Sequence, residues 1–353
     1  MRVLLIKMSS MGDVFHSFPA LTDAQAAQPD LIVDWVVEKG FSDIPAWHPV
    51  VDKVYAIELR KWRKTPWSKA TRQAIKYFFE TVNQTQYDLI LDAQGLLKSA
   101  WVAKKLAKMV KPSPPPIAGY DWSSAREPLA TLCYSKKYRV AKNQHAILRL
   151  RQLFAQALSY SLAQNQPIQY GLDTSCWIKP DELLNTFGQN NYLVFLHGTT
   201  WDTKYWPEKN WIALLEKTHA EGVKVILPWG NEAERLRALR IAKRVKTVEM
   251  VWVPEQPLSL NVVAKLLNFA QGVVSVDTGL SHVAAALEVP MVVLYRVTDP
   301  KLVGADGAKV VRLESPCAPL YLKKFESDVQ AQTSLKGLGV KEVFQVLMHS
   351  VKT

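Results

Sequence analysis

Three short segments combine residue types that could do chemistry. In Ser275-Val276-Asp277-Thr278-Gly279-Leu280-Ser281-His282 a buried-looking strand runs straight into a glycine-containing helix start. Unpaired N–H groups from Thr278, Gly279 and Leu280 would form an anion site there. Asp277 would repel a phosphate and is expected to accept hydrogen bonds from sugar hydroxyls instead. His282, one turn further on, reads either as a structural histidine or as a ligand contact. In His197-Gly198-Thr199-Thr200-Trp201-Asp202-Thr203-Lys204, glycine, paired hydroxyls and a lysine follow a strand, which are materials for holding a diphosphate. Lys204 would then meet the charge that grows on a departing group; the plainer alternative is a polar turn with an exposed lysine. Lys7-Met8-Ser9-Ser10-Met11-Gly12-Asp13 joins a strand to a helix without the G-x-G-x-x-G spacing of a dinucleotide site. Asp13 is either a first-turn acid of that helix or a carboxylate placed to take a proton from an attacking hydroxyl. Glu232, after Pro228-Trp229-Gly230, is a further strand-end acid able to bind ribose hydroxyls, or an ordinary helix-start glutamate.

Several chemistries have no sequence support. The chain has no Asp-x-Asp, no clustered metal-ligand spacing, no P-loop and no Gly-x-Ser-x-Gly elbow. No metal and no cofactor is therefore expected, and leaving-group charge falls to protein groups such as Lys204.

These segments need a frame that repeats strand and helix. Val3–Ile6, Ile32–Val37, Val54–Ile57 and Leu89–Leu91 read as buried parallel strands, with helical spacing over 13–27, 67–83 and 96–110. A polar stretch over 159–184, with Gln164, Asn165, Gln166 and Gln169, predicts a linker. The alternation restarts at Tyr192–Leu196 and continues through Lys224–Leu227, Gly272–Val276 and Met291–Leu294, with helices near 208–220, 231–243, 259–270 and 280–287. The expected fold class is α/β with two Rossmann-like domains, 1–165 and 185–335. An amphipathic C-terminal helix in 336–353 could pack back on the N-terminal domain. Ligands of open parallel sheets sit beyond the carboxyl ends of the strands, so two such sheets face to face would place the chemistry between them.

With 353 residues and 48% hydrophobic content the chain can bury a large core. Cys133, Cys176 and Cys317 are far apart, which suggests neither a disulfide framework nor a thiolate zinc site and fits a reducing cytoplasm. No apolar stretch approaches the roughly 18 to 20 residues of a membrane span. The charge of +12 is lopsided: residues 1–165 carry 23 Lys+Arg against 13 Asp+Glu, and residues 166–353 carry 21 against 19. The first half thus faces something anionic, a nucleic acid, a phosphorylated glycolipid or a membrane surface, through Arg60-Lys61-Trp62-Arg63-Lys64, Lys98 to Lys111 and Lys136-Lys137-Tyr138-Arg139, the plainer alternative for any one cluster being a solvated basic face. A non-catalytic nucleic-acid-binding protein would account for the charge and the tryptophans, but it leaves the Thr199 and Asp277 loops without a purpose.

Taken together, Lys7 to Asp13, Asp92-Ala93-Gln94-Gly95-Leu96, Trp122 to Leu129, His197 to Lys204 with Trp206-Pro207, and Val276 to His282 resemble the bacterial lipopolysaccharide heptosyltransferase I family of glycosyltransferase family 9. Asp277 to His282 alone matches the wider ADP-heptose transferases. Ser9 to Asp13, Arg60 to Lys64 and Asp121-Trp122-x-x-Ala125-Arg126-Glu127-Pro128-Leu129 make the narrower resemblance. It implies a GT-B fold and an inverting, metal-independent transfer from ADP-heptose to the first Kdo of Kdo-lipid A, in the cytoplasm at the anionic inner leaflet, with no nucleic-acid partner. By the same resemblance Asp13 is the general base, Thr199, Thr200 and Lys204 meet the ADP phosphates, and Glu232 meets the ribose. Asp277 would meet the heptose, Thr278, Gly279, Leu280 and His282 the phosphate end, and Arg60, Arg63, Lys98 and Arg126 the acceptor. The chain departs from the family pattern at Lys61, where arginine is expected, and in the proline-rich stretch 112–116. The nearest rival is another nucleotide-sugar transferase of the same architecture.

Overall fold

A computed structural model describes residues 1–163, 165–188, 191–244 and 250–352; Gln164 of the expected linker and the terminal Thr353 lie outside the described residues. The chain divides into two compact units, Met1–Thr174 and Ser175–Thr353.

In the first unit the order is β1 (Arg2–Ile6), α1 (Met11–Phe15), α2 (Phe18–Ala27), β2 (Ile32–Glu38), β3 (Val51–Ile57), α3 (Leu59–Lys64), α4 (Lys69–Val82), β4 (Leu89–Asp92), α5 (Leu97–Met109), β5 (Ile117–Tyr120), β6 (Lys136–Tyr138) and α6 (Ala146–Leu158). The six strands form one parallel sheet in the order β3-β2-β1-β4-β5-β6. β1 and β4 are near-continuously apolar because helices cover both faces of a parallel sheet. One core joins Leu4, Ile6, Ile57, Phe79, Ile90 and Leu106 beneath α4 and α5, and α2 packs against α6 elsewhere in the same unit.

The single helix expected over 13–27 is two. α1 ends at His16, and α2 restarts with Pro19 in its first turn, where the missing N–H costs nothing. The segment 166–174 belongs to the first unit, beyond the boundary expected at 165. Tyr170 is buried, Asp173 N donates to Trp47 O at 3.0 Å, and Gln166 O accepts from Arg151 at 2.9 Å. A stretch that is polar in composition is thus ordered through a few specific contacts. Arg151 itself makes a buried two-pronged pair with Asp23, with N···O distances of 2.5 and 3.0 Å.

The second unit runs α7 (Asp181–Phe187), β7 (Tyr192–Leu196), α8 (Glu208–Ala220), β8 (Lys224–Ile226), α9 (Glu232–Lys243), β9 (Val251–Trp252), α10 (Leu260–Asn268), β10 (Gly272–Val276), α11 (Gly279–Ala286), β11 (Met291–Tyr295), α12 (Pro300–Val303), β12 (Val310–Glu314), α13 (Asp328–Thr333) and α14 (Val340–Lys352). Its sheet, β12-β11-β10-β7-β8-β9, is also parallel and six-stranded. Read from the first strand of each unit, both sheets have the 3-2-1-4-5-6 order of a Rossmann sheet. Side-chain caps start several helices: Asn231 accepts from Glu234 N and Ser259 from Val262 N.

The C-terminal helix, which from sequence could pack on either domain, is part of the second unit. Val343 and Leu347 of α14 are fully buried against α8, β10 and β11 in the core that contains Trp206, Trp211 and Val274. Gly272 makes room for it, since a Cβ there would lie 2.7 Å from Val351 Cγ2.

Candidate active site

Where a Rossmann sheet reverses its winding, the loops after the two central strands diverge and leave a crevice for a ligand. In the first unit that switch lies between β1 and β4, paired through Ile6 and Asp92. The loop after β1 carries Asp13, and the loop after β4 carries Asp92-Ala93-Gln94-Gly95. Gln94 clamps one loop to the other: its Oε1 accepts from Met8 N at 2.7 Å and Ser9 N at 3.3 Å, and its Nε2 donates to Ser9 O at 2.5 Å. Asp92, fully buried, holds Gln94 and Gly95 in turn by accepting their backbone N–H groups at 2.9 and 3.2 Å, together with the Tyr134 hydroxyl at 2.7 Å. Burial pushes its pKa up in spite of these donors.

Asp13 sits in the first turn of α1. One carboxylate oxygen accepts from Ser10 N at 2.8 Å and Ser10 Oγ at 2.9 Å, and the other lies 3.4 Å from Lys7 Nζ. The helix-start reading is thus realised, and a third feature is added: a lysine buried to 6% exposure aims its ammonium at the same carboxylate and at Ala93 O. Burial would raise the Asp13 pKa, but the Lys7 and His16 charges and the Ser10 hydrogen bonds outweigh it and hold the group well below the usual carboxylate range. Asp13 is therefore an anion at any physiological pH. In the sequence alone Lys7 looks like an ordinary strand-end lysine.

Arg60, Arg63 and Lys98, expected to address an anionic acceptor, come together around one cavity of about 390 Å³ with Glu38 and the apolar walls of α3, α4 and α5. Lys98 Nζ also donates to Ser9 Oγ at 3.3 Å, tying this group to the Asp13 loop. Arg126 is not among the residues lining that cavity. It is exposed beside the Gly95 turn, which Glu127 closes by donating its N–H to Gly95 O at 3.1 Å.

In the second unit the switch lies between β7 and β10, paired through Leu196 and Ser275, and the two remaining expected loops leave from these strands. Lys204 Nζ is 2.6 Å from Asp277 Oδ2 and 4.6 Å from the centre of the Trp201 ring. Asp277 also accepts from Thr298 Oγ1 at 2.5 Å, and its backbone carbonyl accepts from Thr199 Oγ1 at 2.9 Å. Thr278 is the N-cap position of α11, its side chain making no cap bond, and Gly279 and Leu280 open the first turn. His282 is buried one turn on, and Thr200 is exposed. The structure thus joins Thr199, Lys204 and Asp277 directly and adds Thr298, which lies beyond the sequence-predicted motifs.

Glu232 stands at the start of α9, exposed and paired with Arg235 at 3.0 Å. Its neighbour Glu234 is the one packed on the loop: it accepts from Gly230 N at 2.8 Å, and a Cβ on Gly198 would meet its carboxyl carbon at 2.6 Å. A side chain at Gly198 would push the Glu234 carboxylate off Gly230 N. The Asn231-x-x-Glu234 spacing at a helix start was the available signal for that arrangement. His197 is buried, its pKa pushed down to about 3 first by burial and then by Arg237, so it is a neutral core residue. Among the described residues, no group of three or more His, Cys, Asp or Glu is placed to hold a metal ion.

The sequence pattern of Glycosyltransferase family 9 (heptosyltransferase) matches residues 75–327 of this chain. The chain belongs to glycosyltransferase family 9. Within that family, the lipopolysaccharide heptosyltransferase 1 of Pseudomonas aeruginosa is 48% identical over 92% of this chain and 87% of its own length. The Escherichia coli K12 protein of the same name is 44% identical over 90% and 94%. Among solved structures, the E. coli heptosyltransferase WaaC with ADP superposes with a TM-score of 0.84 at 39% identity, over 99% of this chain and 100% of that one. The same enzyme with ADP-2-deoxy-2-fluoro heptose gives 0.80 at 40% identity, over 98% of each chain. This family 9 chain is therefore a glycosyltransferase, and the resemblance to heptosyltransferase I drawn from its motifs holds. Its α/β fold is of the GT-B class, as expected.

Proposed function

We propose that the chain transfers L-glycero-D-manno-heptose from ADP-heptose to the first Kdo of Kdo-lipid A, with inversion and without a metal ion. The observation that carries this reading is the Lys204–Asp277 pair at the β7/β10 switch, where a lysine, a carboxylate and the start of α11 converge. A glycosyl diphosphate presents two chemistries side by side, sugar hydroxyls and an anionic leaving group, and this site offers a matching group for each. Asp277 takes the heptose hydroxyls. Lys204, Thr199 and Thr200 take the diphosphate, Glu232 the ribose, and Thr278, Gly279, Leu280 and His282 the phosphate end.

In the step itself, Asp13 accepts the proton of the Kdo hydroxyl as its oxygen bonds to the heptose anomeric carbon. The bond from that carbon to the diphosphate breaks, ADP leaves with the electron pair, and attack from the opposite side inverts the centre. A carboxylate held ionised by Lys7 is always in the form that can accept a proton. It is a weak base, so the proton moves late, as the new bond forms. Arg60, Arg63, Lys98 and Arg126 hold the acceptor's carboxylates and phosphates. Leaving-group charge is met by Lys204, so transfer should persist in EDTA. A chain that required an added divalent ion would overturn the metal-independent part.

No helix among the described residues is long and apolar enough to cross a membrane. The reading places the enzyme on the cytoplasmic face of the inner membrane, held by the charge of its first unit. Binding to anionic over neutral vesicles, lost at high salt, tests this; equal binding to both contradicts it. A panel of nucleotide sugars with Kdo-lipid A as acceptor tests the donor, and ADP-heptose should be the one consumed.

A further inference from the structure

After β12 the chain returns to the loop that carries Lys204 and is tied to it at two points. Thr203 Oγ1 donates to Leu322 O at 2.6 Å. Arg296 makes the second tie: it donates to Tyr205 O at 2.8 Å, and its guanidinium carbon lies 4.5 Å from the centre of the Phe325 ring. Just ahead of the first tie, Tyr321 takes a φ of 48°, a left-handed conformation that is costly for a bulky residue and is kept where the surroundings impose it. Burial, followed by the charges of Asp299 and Asp277, pushes the Tyr321 phenol pKa up. Lys323 lies between the two ties, over Trp201. Its Nζ is 5.5 Å from the ring centre, and the Nζ of Lys204 is 4.6 Å from the same centre. Lys323 is exposed, and among the described residues its ammonium has no carboxylate partner.

Two ammoniums on one indole repel each other, and only one of them is neutralised. Lys204 is paired with Asp277 at 2.6 Å, both side chains being largely buried, so the pair presents little net charge to an arriving diphosphate. The hydroxyls of Thr199 and Thr200 and the start of α11 add dipoles but no full charge. A multiply charged anion calls for an uncompensated cation, and Lys323 is one that the fold holds beside Lys204. A surface lysine without a role would not need a left-handed tyrosine and two ties to keep its backbone on this loop. We infer that Lys323 is a second cation of the donor site, resting on Trp201 when the site is empty and moving onto the β-phosphate of a bound nucleoside diphosphate. The indole face holds an exposed ammonium only weakly, and the flexible lysine stem lets it swing across. The diphosphate gains a charge when its bond to the sugar breaks, so the same contact also favours departure of the leaving group. This rests on the proposed donor and adds a residue from a segment outside the motifs that suggested it.

The test is calorimetry with ADP and with AMP, which lacks the β-phosphate, on the wild-type protein, Lys323→Met, Lys323→Arg and Lys324→Met. Methionine keeps an unbranched stem against Trp201 and removes the charge, and the neighbouring exposed Lys324 controls for a general loss of positive charge. Lys323→Met should lose about tenfold in ADP affinity while AMP affinity stays within about twofold. Lys323→Arg should keep most of the ADP affinity, and Lys324→Met all of it. An ADP-to-AMP affinity ratio that Lys323→Met leaves unchanged overturns the proposal. So does an equal loss for both nucleotides, which a merely structural lysine would produce, or an equal effect of Lys324→Met, which a long-range field would produce. Repeating the comparison with UDP and UMP separates the proposal from the functional reading. A preference for UDP that Lys323→Met removes, in a protein that ignores ADP, supports the second cation and sinks the ADP-heptose assignment alone.

Discussion

Replacing Lys7 by methionine removes the charge nearest to Asp13 while keeping most of the volume of a side chain that is 8% exposed. At 3.4 Å and an effective dielectric constant of about 20, the Coulomb attraction is about 5 kcal/mol. The Asp13 side chain is 37% exposed, however, so water screens the pair, and about 1–2 kcal/mol is the realistic loss. Lys7 stabilises the carboxylate, so its removal raises the Asp13 pKa, and kcat/KM should begin to fall at a higher pH in the variant than in the wild type. The linkage has the same sign. A carboxylate with a depressed folded-state pKa contributes stability above its unfolded pKa and loses it as pH falls through the folded value. Lys7→Met should therefore melt earlier than wild type at neutral pH, and the gap should narrow in acid. The assay is the pH profile of kcat/KM from the plateau down to the acid limit, with thermal melts at each pH. An acid limb that stays in place while the plateau falls would refute the reasoning, since Asp13 would then not be the titrating base.

Three further outcomes follow from the same geometry. Thr298→Val removes the hydroxyl that fixes Asp277 at 2.5 Å and should raise the donor KM about threefold to tenfold, with the acceptor KM unchanged in steady-state kinetics. Lys204→Ala should lower kcat as well as weaken ADP binding, because its charge matters most as the leaving group departs; calorimetry with ADP beside turnover measurements separates the two effects. Arg151→Met breaks the buried pair with Asp23 and strands a carboxylate, which should cost about 3–5 kcal/mol in denaturant unfolding.

The central strands were legible because a parallel sheet covered on both faces writes continuous apolar runs such as Tyr192–Leu196 and Met291–Tyr295. β5 and β6 were not. β6 is Lys136-Lys137-Tyr138, which reads as a charge cluster, and β5 includes Gly119, kept small because a Cβ would lie 2.5 Å from the Tyr134 ring. α6 escaped notice because Arg151 interrupts its apolar face, and the pairing with Asp23 that permits its burial lies 128 residues away in sequence. The loops with Asp13, Lys204 and Asp277 stood out because mixed polar residues follow buried strands. Gln94 and Thr298 gave no such signal, since each gains its meaning from a partner supplied by another strand-end loop, and Lys7 reads as an ordinary strand-end lysine until its ammonium is seen beside Asp13.

The most direct test of the central claim is ADP release from ADP-heptose with and without Kdo-lipid A, for the wild-type protein and Asp13→Asn side by side. Acceptor-dependent release in the wild type, reduced by about 10²–10⁴ in the variant while ADP binding is retained, is the predicted result. Near-normal turnover by Asp13→Asn, or a wild-type protein that binds neither ADP-heptose nor ADP, would contradict the account.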